Sequence, residues 1–231
     1  MNFVLRNRQF LLILSLLLAG SATNAATNGL VVPAFRGSAN SEAGYWEVFT
    51  MAAGAPGNLA DGAGSTSGAV LTQHSPNAFL TGSGNIYNFT DASTFTLADV
   101  TPFALGTVVL QTRTVGSELD YSSVQLTYTD GGGVHSVAPL FRLELDRSVG
   151  NGDNVSSLWQ WDLSGLGVSS YSIAFAAAES SMSFDALTLD TWNQFSVVPE
   201  PSVAALGGIA GLLLLTRARN FKPALRRLGK H

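Results

Sequence analysis

Val124-Gln125-Leu126-Thr127-Tyr128-Thr129, closed by Asp130-Gly131-Gly132-Gly133, is the stretch that decides the fold. Val124, Leu126 and Tyr128 alternate with Gln125, Thr127 and Thr129, a period of two that gives an extended strand one apolar and one polar face. The glycine run supplies the backbone freedom of a tight reversal and predicts a hairpin to the segment at Pro139. Outward from this point the same period returns. Phe141, Leu143 and Leu145 alternate with Arg142 and Glu144. Trp159, Trp161 and Leu163 alternate with Gln160 and Asp162, and Tyr171, Ile173, Phe175 and Ala177 with small or polar partners. Further strands are expected at residues 30–35, 45–50, 69–73, 86–89, 94–98, 107–114 and 184–192. In the last of these the phase slips between Ala186 and Leu187, as a bulge requires. Short strands broken by Gly, Asn, Asp and Ser about every ten residues predict an all-β chain, an antiparallel jelly-roll-like β-sandwich of about 10–12 strands.

Between the strands, Gly150-Asn151-Gly152-Asp153-Asn154 and Ser164-Gly165-Leu166-Gly167 read as turns. Residues 52–68 are almost all Ala, Gly, Ser, Asn and Asp, and are expected to form a flexible loop. No amphipathic helix or internal repeat interrupts the pattern, so residues 26–196 read as one domain. About 170 residues bury roughly 70% of the unfolded surface, enough for one core. From Ala26 to Val198 fifteen Asp and Glu face four Arg and no Lys, a net charge near −11. That charge opposes nucleic acid and anionic lipid surfaces, which require a basic face. The absence of cysteine excludes disulfides, thiolate zinc sites and thiol nucleophiles.

Both ends differ from this middle. Arg6 and Arg8 precede an apolar stretch from Phe10 to Leu18 and then small residues, the pattern of a secretory signal helix over residues 1–25. Cleavage is expected after Ala25, with Ala22 as the alternative. At the other end stands Val198-Pro199-Glu200-Pro201-Ser202, then an uncharged apolar run from Val203 to Leu215, then Arg217, Arg219, Lys222, Arg226, Arg227 and Lys230. Thirteen residues at about 1.5 Å each reach roughly 20 Å, short of a bilayer core of about 30 Å. Flanking residues extend the helix, and Arg217 and Arg219 can snorkel to the lipid phosphates. The positive end belongs on the cytoplasmic side.

The order Pro199-Glu200-Pro201, apolar helix, arginine-rich end resembles the PEP-CTERM sorting signal of Gram-negative envelope and biofilm proteins. The resemblance covers residues 197–219 and implies recognition and cleavage by an exosortase-type enzyme. It assigns the chain to the envelope, membrane-anchored before processing and then at the cell surface or outside the cell. Residues 220–231, a basic cytoplasmic tail, extend beyond the usual end of such signals.

Chemistry within the domain is sparse. His74 and His135 are its only histidines, and no nucleophile-elbow pattern accompanies them. Glu144 with Asp146, or Asp185 with Asp190, would serve a glycosidase only if brought about 5 to 10 Å apart in a cleft. The turn Asn151-Gly152-Asp153-Asn154 offers oxygen ligands to calcium, although Gly, Asn and Asp are also what tight turns are made of. Trp159 and Trp161 share a face and read as core, which leaves Trp46 and Trp192 as candidate sugar contacts. No catalytic residue, metal ligand or cofactor is assigned. The primary reading is a structural or adhesive, non-catalytic envelope or matrix protein. The alternative is a carbohydrate-binding module or carbohydrate-active enzyme, with extracellular polysaccharide as partner.

Overall fold

The computed structural model describes residues 29–150 and 152–198. Among the described residues there is no helix, and thirteen strands, all paired antiparallel, form two sheets. The larger runs β10 (Phe141–Gly150), β11 (Gly152–Asp162), β7 (Thr107–Gly116), β13 (Met182–Trp192), β5 (Ile86–Asn88) and β4 (Phe79–Leu80), and β1 (Ser41–Trp46) pairs with the other half of β13. The smaller runs β2 (Asn58–Leu59), β3 (Val70–Gln73), β6 (Thr94–Val100), β12 (Ser170–Ala177), β8 (Leu119–Asp130) and β9 (Gly133–Val137). The all-β antiparallel sandwich expected from the sequence is therefore present. The strand number passes the expected range because β2 and β4 are two-residue pairings that no periodicity can announce.

The core lies between the sheets. Leu97, Leu126 and Ile173 from the smaller sheet meet Leu110, Trp159, Trp161 and Leu189 from the larger. Phe95 and Phe175 stack at 5.1 Å, and Phe184 crosses from the other sheet to within 4.8 Å of Phe95. Such ring contacts add about 0.5–1.5 kcal/mol each beyond the area they bury.

Several local expectations are corrected. Residues 30–35 form no strand beyond a bridge at Leu30, because Pro33 lacks a donor and the backbone of Val31 pairs with a side chain instead. The strand placed at residues 45–50 lies earlier, as β1. Its ladder stops at Trp46 because the next backbone donors, of Glu47, Val48 and Thr50, go to Asp61 and Asn58. Those acceptors belong to the segment expected to be a flexible loop. Within residues 52–68, Asn58 accepts from Thr50 and Met51 and donates to Met51, and the Trp46 indole donates to the Asn58 carbonyl at 2.9 Å. The hairpin after β8 pairs with β9, which ends at Val137. Pro139 lies in the crossing to β10 in the other sheet. The bulge in β13 falls between Phe184 and Ala186, with Asp185 as the extra residue. From Ala186 to Thr191 alternation is lost for another reason, burial on both faces. Residues 1–25, 199–219 and 220–231, where a signal helix, an apolar helix and a basic tail are expected, lie outside the described residues.

Candidate functional site

The two sheets treat their outer faces differently. Strands β6 and β12 alternate buried and accessible residues, as a sheet with one wet face should. Strands β7, β11 and β13 are buried through most of their length on both sides. Two extended segments cover the outer side. An N-terminal arm, residues 29–40, and a C-terminal strap, residues 193–198, pack around a second cluster of Phe35, Val109, Leu158 and Val198, flanked by Phe141, Leu143 and Leu145. The alternating apolar residues of β10 thus serve this outer cluster.

Each segment is held by a glutamine whose primary amide mimics a strand edge. Gln111 on β7 donates to the Val31 carbonyl at 2.9 Å and accepts from the Val31 N–H at 2.8 Å. Gln160 on β11 donates to the Ser196 carbonyl at 2.7 Å and accepts from the Val198 N–H at 2.9 Å. Both glutamines are fully buried. Thr107 extends the second clamp, its hydroxyl donating to the Gln194 carbonyl at 2.7 Å and accepting from the Ser196 N–H at 3.0 Å. The strap approaches so closely at Gly106 that an added Cβ would lie 2.5 Å from the Gln194 carbonyl carbon. The arm and strap also touch, with Phe35 stacked on Trp192 at 5.4 Å and Asn193 donating to the Asn40 carbonyl.

An ion pair fixes the arm. Arg36 meets Asp190 in a two-pronged contact at 2.5 and 2.7 Å and lies 4.6 Å from the centre of the Tyr45 ring. The Asp190 side chain is fully buried, and desolvation pushes its carboxyl above the usual range, opposed by Arg36. The remaining space there is a cavity of about 30 Å³, room for little more than a water.

Of the residues singled out from the sequence, Val198 is described and is seated in the outer cluster. Pro199, Glu200, Pro201, Ser202, Arg217 and Arg219 lie outside the described residues. Trp46 is 0% exposed, so it offers no face to a ligand, and Trp192 is half-buried against Phe35 with its indole donating to the Ala39 carbonyl. Trp159 and Trp161 are core. Three of the four candidate carboxylates are engaged in ion pairs, Glu144 with Arg147, Asp185 with Arg113, and Asp190 with Arg36, and Asp146 is exposed on β10. His74 bonds Thr96, and His135 bonds Asp130 with its ring stacked on Tyr128. In the turn considered for calcium, Asn151 lies outside the described residues and the Asp153 carboxylate accepts from Arg147 at 2.9 Å. Among the described residues no three His, Cys, Asp or Glu side chains gather to hold a metal.

The exposed aromatics lie elsewhere. Phe79 and Phe89, 42% and 58% exposed, pack edge-on with each other and around Tyr87 on the β4–β5 edge. Ser183 stands opposite Tyr87 across the ladder, and Asn85 donates to Ser183 and to Asp185. An open groove of about 390 Å³ runs along Ser117, Glu118, Tyr121 and Glu179, and one of about 120 Å³ along Tyr128, Asp130 and Ser169.

The sequence reading missed the two glutamine clamps and Arg36. Gln160 between two tryptophans scans as the wet phase of a half-buried strand. The available signal was in its neighbours, since Val108-Val109-Leu110 on β7 is apolar in both phases, which requires cover on both faces.

No protein-family model and no curated protein sequence matches the chain. Among solved structures, the enzymatically active domain of tailspike protein 4 of bacteriophage CBA120 is similar over 72% of this chain, at 16% identity and a TM-score of 0.26. The match spans 20% of that chain.

Proposed function

We propose that this chain is an exported cell-envelope or extracellular-matrix protein, structural or adhesive and non-catalytic, carried on a jelly-roll-like sandwich and sorted by its C-terminal segment. The observation that carries the reading is the order of that segment. Pro199-Glu200-Pro201, an uncharged apolar run and an arginine-rich end follow directly after Val198, the last clamped residue of the strap. In this reading a signal peptide exports the chain, the apolar run holds it in the membrane, and an exosortase-type enzyme releases it to the surface or matrix. The ion pairing of Glu144, Asp185 and Asp190 supports a non-catalytic role, because it leaves neither candidate pair with two carboxyl groups free to exchange a proton with substrate. The test is to follow one epitope in residues 52–68 and another after His231 in the native host. The first found outside the cell without the second supports sorting, and both retained together in the membrane refute it.

A second reading, a carbohydrate-binding module, is favoured by one specific observation. Phe79, Tyr87 and Phe89 present rings beside the carboxamide of Asn85, the hydroxyl of Ser183 and the carboxylate of Asp185. Aromatic faces suit the apolar faces of sugar rings, and the polar row suits their hydroxyls. Binding across a polysaccharide panel, with and without calcium, that is lost in Phe89→Ala would establish it. A negative panel removes it.

A further inference from the structure

The strap ends one residue before Pro199, and one edge of its backbone is bonded up to that point. The Gln194 and Ser196 carbonyls and the Ser196 and Val198 N–H groups are all bonded to the side chains of Thr107 and Gln160. A processing enzyme binds its substrate as an extended strand through backbone N–H and C=O groups, and to enclose this segment it must lift the strap off Thr107 and Gln160. Phe195 and Val197 are 41% and 53% exposed, so their side chains are accessible, while each peptide unit from Gln194 to Val198 has either its C=O or its N–H bonded.

We infer that the Gln160 and Thr107 clamp sets the upstream limit of C-terminal processing: the peptide bonds of residues 194–198 are protected, and the cut falls beyond Val198. This rests on the sorting reading given above. The cut replaces one peptide C–N bond by a bond from the acyl carbon to a water oxygen, and the freed amine leaves with the tail. The mature domain then keeps its strap, and Leu158, Val109 and Phe35 stay covered. A cut within the strap would strip Val198 from that cluster and leave the Gln160 amide buried without partners. Gln160 acts here as a positioning residue and has no part in the bond cleavage.

The test has two arms. In the first, full-length protein in detergent is digested with chymotrypsin and the products are weighed intact. Wild type should resist cutting after Phe195, whereas Gln160→Leu should be cut there about tenfold faster or more. The rate at exposed Phe89, next to the Met182 end of β13 and away from the strap, should be unchanged. Thr107→Val repeats the measurement should Gln160→Leu fail to fold. A wild type cut after Phe195 as fast as either variant overturns the clamp. In the second arm, the mature protein is isolated from its host and its C-terminus determined by mass. A terminus beyond Val198 supports the inference, and one between Asn193 and Val198 overturns it while leaving the sorting reading intact. A chain that keeps residues 199–231 removes the sorting reading, and the assigned cut with it, whatever the chymotrypsin arm gives.

Discussion

The two sheets share a core and differ in what lies behind it. The smaller sheet has water behind it, and its strands β6 and β12 display their period of two undisturbed. The larger sheet has protein behind it, so each outward polar residue on β7, β11 and β13 needs a protein partner in place of water. Gln111, Gln160 and Asp190 find theirs in the arm and strap. Polar residues in the same phase of the same kind of strand therefore have opposite worth. On the wet face they are solvated and replaceable, and on the covered face they decide whether two chain segments stay docked.

The largest expected difference follows from the ion pair. Arg36→Met leaves Asp190 buried without its cation, a change that typically costs about 3–5 kcal/mol. Urea denaturation should show a midpoint well below wild type, and the Arg36→Met, Asp190→Leu double variant should recover most of the loss. A single variant within about 0.5 kcal/mol of wild type would mean that the arm does not seal the outer face.

The glutamine clamps come next. Gln111→Leu and Gln160→Leu each leave one peptide carbonyl and one N–H without partners in a dry interface, at about 1–3 kcal/mol apiece. Because Gln111 holds the arm and Gln160 the strap, hydrogen exchange should separate them. The first should release Val31, and the second Ser196 and Val198, with little crossover. Equal loosening of both segments by either variant would merge the arm and strap into one unit.

This division also explains what could be read from the chain. The sandwich and most of its long strands were legible because Val124, Leu126 and Tyr128, or Ile173 and Phe175, need only water on one side and core on the other. The outer face was not legible, because burial there is set by residues far off in sequence: Val31 is 80 residues from Gln111, and Arg36 is 154 from Asp190. Nor did composition reveal the hydrogen bonds made by residues 52–68. Asn58 holds Thr50 and Met51 through a single carboxamide, and a stretch of small residues gives no hint of it. Trp46 failed as a candidate ligand contact for the related reason that the Asn58 carbonyl, from this same segment, takes its N–H.

A smaller effect is expected with pH. Asp99 on β6 is buried beside the Tyr171 hydroxyl, the Ser67 hydroxyl and the Val100 N–H, and desolvation raises its carboxyl above the usual range in spite of those bonds. Glu42 on β1 is raised by desolvation and then by the Asp99 charge. A carboxyl raised in the folded state holds a proton that the unfolded chain has released. Its stabilisation is complete below the ordinary carboxylate range of about 4 and is lost as pH rises through the raised folded values. Glu118 and Glu144 are lowered chiefly by Arg147, and their contribution is lost as pH falls through the folded values. The melting temperature should thus pass through a maximum in mild acid and decline by a few degrees toward neutrality. Asp99→Asn should flatten that neutral-side decline, and an unchanged slope would remove this pair as its cause.

The smallest effect makes the sharpest control. Gln125 lies on β8, in the smaller sheet, and its carboxamide accepts from the exposed Ser136 hydroxyl at 2.9 Å on the neighbouring β9. It is the same side chain as Gln160, with one hydrogen bond of similar length where Gln160 makes two, so bond for bond a chemical argument alone would rank the two together. The difference is that water can replace Ser136 at Gln125, whereas no water reaches Gln160, which is 0% exposed. Gln125→Leu should therefore stay within about 0.5 kcal/mol of wild type, against the 1–3 kcal/mol expected for Gln160→Leu. Equal losses at the two positions would show that the hydrogen bond itself, and not the cover over the larger sheet, carries the energy.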